Sequence, residues 1–193
     1  MRPEEPAWWY APVLEGPARW LAPAGAIYGA VAQARYKLTT PNVAGRPVIC
    51  VGNFTAGGTG KTPMSLCFAR MLREAGREPW FLTRGYGGEG AGPHRVDGGG
   101  ETRGAGGRKP LLPGREAPTI IARDRRAGAA FIARVSPQNA VIVMDDGLQN
   151  PSLAKALSIA IVDGRRGLGN GRVIPAGPLR APLAFQLGLV DAI

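Results

Sequence analysis

The chain has 193 residues, 45% of them hydrophobic and 20% charged, and its 24 Lys and Arg outweigh 14 Asp and Glu for a formal charge of +10. Such a composition excludes a disordered chain and supplies the core of one ordinary domain; the 29 Gly and 18 Pro scatter among apolar runs and imply many loops. Cys50 and Cys67 are the only cysteines, each in an apolar stretch that suits a buried thiol, which excludes a disulfide scaffold.

In chain order, Trp8, Trp9, Tyr10, Trp20 and Tyr28 come first, crowded together. A base-stacking surface would interleave its aromatics with Arg and Lys. The positive field is therefore read as suited to a membrane surface or a phosphorylated substrate, with no nucleic acid and no obligate protein partner expected. No export leader is legible, so the cytoplasm is the expected compartment. The apolar run at 20–34 is broken by Pro23 and Gly25 and falls short of the roughly 20 residues that span a bilayer. Followed by Arg35 and Lys37, it suits either a helix lying in the membrane interface or one packed on the domain, and the sequence leaves both open. Residues 1–40 are accordingly expected to be an N-terminal aromatic and basic helical segment, and 41–193 a nucleotide-binding domain.

That domain should begin with a strand at 47–51 that ends at Gly52 and Asn53, a glycine-rich loop at 55–60, and a helix whose apolar positions are Met64, Cys67, Phe68, Met71 and Leu72 before Gly76. A strand at 80–83 leads into Arg84-Gly85-Tyr86-Gly87-Gly88, and the aperiodic stretch 89–115 reads as loop. A strand at 119–122, a helix at 125–135, a strand at 140–144 entering Asp145-Asp146-Gly147 and a strand at 159–162 complete the pattern. Alternating strands and helices predict an α/β, doubly wound, mainly parallel sheet of the P-loop NTPase type, with ligands beyond the carboxyl ends of the strands.

Chemistry concentrates at Thr55-Ala56-Gly57-Gly58-Thr59-Gly60-Lys61-Thr62, set between strand and helix. Its glycines let the backbone wrap a polyphosphate, Lys61 reaches the outer phosphates, and the Thr62 hydroxyl suits magnesium. Thr55 stands where the first glycine of the usual pattern belongs. Asp145 and Asp146, at the end of an apolar strand, are candidate metal and catalytic carboxylates beside Lys61. Arg84 and Arg123 follow strands and suit phosphate oxygens, whereas His94 receives no role.

The run from Pro47 to Pro63, together with Thr83-Arg84-Gly85-Tyr86-Gly87, Asp145-Asp146-Gly147-Leu148-Gln149 and Pro175-Ala176-Gly177-Pro178-Leu179-Arg180, resembles the tetraacyldisaccharide 4'-kinase family. The resemblance implies ATP and Mg2+ as cofactors and transfer of the γ-phosphate to the 4'-hydroxyl of a lipid disaccharide. It also implies a peripheral seat on the cytoplasmic face of the inner membrane of a Gram-negative bacterium, with Arg84, Tyr86, Gln149 and Asn150 as substrate candidates. Two departures accompany it. Arg108, in Gly107-Arg108-Lys109-Pro110, stands where the family carries an Asp credited with accepting the hydroxyl proton, which implies a weak or inactive kinase or a module that binds ATP only. The last residues, Val190-Asp191-Ala192-Ile193, read as cut before a second, smaller domain. Relatives of the DNA-partitioning ATPases are disfavoured because Ala56 occupies the place of their additional Lys.

Overall fold

The structure, a computed structural model, describes residues 5–11, 16–84, 93–96 and 116–193. A 3-10 helix at Ala7–Trp9 is followed by α1 (Gly16–Leu38), β1 (Val48–Gly52), α2 (Lys61–Glu74), β2 (Glu78–Thr83), β3 (His94–Val96) and β4 (Thr119–Ile121). Then come α3 (Arg125–Val135), β5 (Ala140–Asp145), β6 (Leu157–Ala160) and α4 (Leu183–Leu187).

Because strand side chains alternate between faces, the fully apolar strands must be covered on both sides. Cys50, Leu82, Ile142 and Met144 point to one face, where Ala129 and Ile132 of α3 meet them. Val51, Phe81 and Val143 point to the other, beneath Ala69, Leu66, Phe68 and Leu72 of α2. The sheet runs β3-β4-β2-β5-β1-β6, parallel except for β3, which pairs antiparallel with β4. The expected doubly wound sheet is therefore present, with β5 between β1 and β2 and Val51 in register with Asp145. This pairing sets the loop after β1 beside the carboxylates that end β5.

Several sequence expectations are corrected. The stretch expected to be loop contains β3, a three-residue strand too short to show a period, whose Arg95 lies over the Trp80 ring at 5.3 Å. The α2 stripe is only partly the expected one: Phe68 and Leu72 pack on the sheet, but Ser65 and Ala69 are the fully buried positions, whereas Met64 and Met71 are 38% and 55% exposed and Cys67 is exposed. Small side chains let the helix approach the sheet more closely than the longer methionines would. The strand expected at 159–162 lies earlier, at Leu157–Ala160, held by pairing with β1.

Helix α1 runs through Pro23 and Gly25, which interrupt the apolar run but not the helix. Pro23 is exposed and sits in the second turn, so the carbonyl that loses its hydrogen bond can be solvated. Ala18, Gly25 and Gly29 form the buried face, with Gly25 set against Val173 and Gly29 against Pro182; Tyr36 meets Phe185 edge to face at 5.5 Å. The opposite face carries Trp20, Ile27, Val31 and Leu38, which are 84%, 67%, 62% and 85% exposed. No helix among the described residues is long and apolar enough to cross a membrane.

A β-carbon at Gly25 would come 2.7 Å from the Val173 carbonyl oxygen. Gly25→Val should therefore destabilise the fold by about 1–3 kcal/mol, read as a lowered urea midpoint. Gly16→Ala, where the added carbon meets nothing within 4 Å, should leave the midpoint unchanged or raise it slightly.

Candidate functional site

The loop from Thr55 to Gly60 leaves β1 at its carboxyl end and turns directly into α2. Gly57 and Gly60 take φ of +105° and +80°, a region closed to most side chains, which is why the turn needs glycine. Gly60 caps α2 without any side-chain hydrogen bond, so the amide N–H groups and positive end of the helix remain available to an anion.

Around this loop the side chains gather into a charged cluster. Lys61 Nζ donates to the Gly57 carbonyl at 3.4 Å and lies 3.9 Å from Asp146 Oδ1. Thr62 Oγ1 donates to Asp145 Oδ2 at 3.5 Å. Asp146 adopts φ of +54°, a conformation that Asp tolerates better than most residues, and its N–H is anchored to the Val51 carbonyl at 2.9 Å. Arg180 grips that carboxylate with both terminal nitrogens, at 2.8 and 3.3 Å, while its Nε donates to the Thr55 carbonyl at 3.0 Å. Its backbone joins in: Arg180 N–H donates to the Phe54 carbonyl and Ala56 N–H to that of Pro178. Thr55 and Leu179 thus form an antiparallel bridge, and the half-buried Arg180 side chain ties the loop to the β5 carboxylates.

Burial weakens the hold of Lys61 on its proton; Arg180 acts in the same direction, while Asp146 and Asp145 oppose it. Burial likewise pushes the Asp145 carboxyl above the ordinary range, helped by Asp146 and resisted by Lys61, the Thr62 hydrogen bond and Arg125. Asp145 Oδ1 and Thr59 Oγ1 are buried without a hydrogen-bond partner among the described residues. An unsatisfied carboxylate oxygen beside the Thr62 hydroxyl fits a magnesium ion, which takes one or two protein oxygens and completes its shell with water and phosphate. Among the described residues no group of three or more His, Cys, Asp or Glu is gathered to hold a metal without such a ligand.

The other candidates distribute differently. Arg84 is exposed at the end of β2, close enough to weigh on the charge of Arg125; Arg123 is also exposed. Gln149 donates to the Asn53 carbonyl at 2.8 Å and to Gln186 Oε1 at 2.7 Å, and Asn150 accepts from the N–H and hydroxyl of Ser152. Tyr86 and Arg108 lie outside the described residues. Sequence reasoning missed two residues. Arg180 reads in the sequence only as part of a family motif, and Arg125, 4% exposed, stands two residues after Arg123 without a motif of its own. Burial and Arg84 weigh against the Arg125 charge, and Asp146 and Asp145 support it. The signal available was Asp124, which caps α3 by accepting from Arg126 N–H and so places Arg125 at the first turn, beyond β4.

Comparison with known proteins bears directly on this arrangement. The profile of the family described as tetraacyldisaccharide-1-P 4'-kinase matches residues 17–193. Among curated relatives, the tetraacyldisaccharide 4'-kinase of Methylobacterium radiotolerans is 56% identical over 187 residues, covering 96% of this chain and 56% of the relative. That of Bradyrhizobium diazoefficiens is 48% identical, covering 98% and 55%. The chain thus spans about half the length of the curated relatives it matches. A crystal structure titled as "apo" form LpxK from Aquifex aeolicus in complex with ATP superposes with a TM-score of 0.74 at 26% identity, over 90% of this chain and 57% of that one.

The desolvated carboxyl yields a test of its own. Because the folded-state pKa of Asp145 is raised, its contribution favours the fold most below the ordinary value of 3.8 and is lost as pH rises through the folded value. Asp145→Asn should therefore raise the melting temperature of the ligand-free protein at pH 7, by a few degrees, while weakening binding of magnesium and nucleotide. The thermal gain should shrink as pH falls and vanish below the ordinary carboxyl range; melts across that pH series check it.

Proposed function

The chain belongs to the tetraacyldisaccharide-1-P 4'-kinase family, and we propose that it carries the phosphate- and metal-handling part of a lipid kinase that transfers the γ-phosphate of ATP to the 4'-hydroxyl of a lipid disaccharide. The supporting observation is the convergence of Lys61, Thr62, Asp145, Asp146 and Arg180 where β1 and β5 end.

Phosphoryl transfer is mainly positioning and neutralisation of charge. The loop N–H groups and the α2 N-terminus cradle the β- and γ-phosphates, and Lys61 contributes its ammonium to the outer oxygens. Asp146 keeps the Lys61 and Arg180 cations facing the loop until phosphate arrives. Thr62 and Asp145 are the residues that would hold Mg2+, which when bound would neutralise charge on the phosphate oxygens. Exposed Arg84, at the end of β2, suits the anionic groups of the acceptor, and buried Arg125, whose charge Asp146 and Asp145 support, adds positive potential behind the carboxylates. With Arg108 where the family carries its proton-accepting Asp, the chain binds ATP but transfers phosphate slowly.

The outward row of α1 supports a peripheral seat on the inner membrane. Trp20, Ile27, Val31 and Leu38 return to one face at a 100° turn per residue, with Arg19, Arg35 and Lys37 available to lipid phosphate.

In assays with labelled ATP, magnesium and the disaccharide lipid, Lys61→Ala should lower transfer by about 100-fold or more. Arg108→Asp should raise turnover above that of the chain as it stands; no gain would remove Arg108 as the cause of slow transfer. Ile27→Glu with Val31→Glu should abolish co-flotation with anionic vesicles while leaving ATP binding intact, and unchanged flotation would contradict the membrane seat.

A further inference from the structure

The N-terminal segment sets a carboxylate against the phosphate loop, and the kinase reading leaves it without a role. Glu5 precedes the 3-10 helix, and a β-carbon placed on Gly57 would collide with its Oε1. The carbonyl of that same glycine accepts from Lys61 Nζ at 3.4 Å, so Glu5 stands at the end of the loop assigned to the outer phosphates. Its neighbours fix it there. Oε2 accepts from the Tyr10 hydroxyl at 2.7 Å and pairs with Arg166 Nη1 at 2.9 Å, and the Arg166 guanidinium covers the Tyr10 ring at 5.4 Å. Oε1 has no hydrogen-bond partner among the described residues, so one oxygen is engaged and the other faces the loop. The segment is fastened independently of Glu5: Trp9 Nε1 donates to the Pro175 carbonyl at 3.0 Å, and Asn170 N–H donates to that of Trp9 at 2.7 Å. The Glu5 side chain is 24% exposed, which leaves it room to rotate toward solvent while the strap stays in place.

We propose that Glu5 is an autoinhibitory contact of the phosphate loop: its carboxylate rests against the outer-phosphate end of the ligand-free loop and must swing away before a γ-phosphate settles there. The inference rests on the phosphate-binding reading of residues 55–62. Lys61 and the positive end of α2 attract this carboxylate for the reason they attract phosphate, which accounts for an acidic side chain at this spot. A carboxylate and a phosphate side by side repel, and neither donates a hydrogen bond to the other. Arg166 offsets only part of the Glu5 charge, because it engages the other oxygen and is 55% exposed to water. A ligand that ends at its β-phosphate meets less of this opposition than one carrying a γ-phosphate, so the contact lowers affinity for ATP more than for ADP.

Calorimetry on the chain with magnesium and, in turn, ATP, ADP and inorganic tripolyphosphate tests this. Glu5→Gln, which keeps the shape and removes the charge, should tighten ATP and tripolyphosphate by about threefold to tenfold and ADP by less than about twofold. Raising the salt from about 0.05 M to about 0.5 M should shrink that gain, as it does for charges partly open to water. Glu5→Ala should tighten ATP at least as much as Glu5→Gln. Unchanged or weaker ATP binding in Glu5→Gln would overturn the proposal and make Glu5 a prop for the loop. Equal gains for ATP and ADP would overturn it by placing the carboxylate away from the γ-phosphate, and a gain in Glu5→Ala alone would overturn it by tracing the effect to a loosened strap. Failure of ATP and tripolyphosphate to bind either the unsubstituted or the substituted chain would instead bring down the phosphate-loop reading, and this inference with it.

Discussion

A bidentate ion pair between Asp146 and Arg180 closes the site, and the rest of the arrangement depends on it. The two residues come from segments far apart in the chain, one at the end of β5 and one on the strand-like stretch that bridges Thr55. Through Nε of the same guanidinium the pair also reaches the Thr55 carbonyl, so a single side chain fixes the carboxylates and the phosphate loop relative to one another. Each partner is roughly a quarter exposed, and water screens part of the attraction. Its value lies in geometry: a planar fork holds a carboxylate in one orientation, as a lysine would not.

The cluster is built at a cost to the folded state. Lys61 and Asp145 both carry charges that burial opposes, and Asp145 Oδ1 lacks a hydrogen-bond partner among the described residues. Such tension is what a site poised for a polyphosphate and its cation should show, because the ligand supplies the compensating charge. Behind it, buried Gln186 donates to the Phe54 and Ala181 carbonyls and accepts from Gln149, bracing the entrance to the loop. Gln149 therefore acts in the structure as part of this brace.

Much of this was legible in the sequence because it is local. The left-handed turns at Gly57 and Gly60 follow from glycine spacing, and the apolar run 140–144 announces a buried strand whose end must carry Asp145. The unread parts are long-range. Nothing in the order of residues says that Arg180 meets Thr55, 125 positions away, or that Glu5 returns to Gly57. Only part of the α2 face was legible: Phe68 and Leu72 pack on the sheet as their spacing implies, but the closest approach is made by the small Ser65 and Ala69, while Met64 and Met71 stay out. In α1 the sequence left two readings open, and the helix satisfies the packed one through Ala18, Gly25 and Gly29 while leaving its other apolar face outward.

The central claim is that Asp146 and Arg180 act as one device in holding the loop for a polyphosphate. The most direct measurement is a double-mutant cycle on magnesium–ATP affinity with Asp146→Ala, Arg180→Ala and the pair. The account predicts that the second substitution costs little once the first is made, with a coupling of at least about 1 kcal/mol. Independent, additive losses would contradict it.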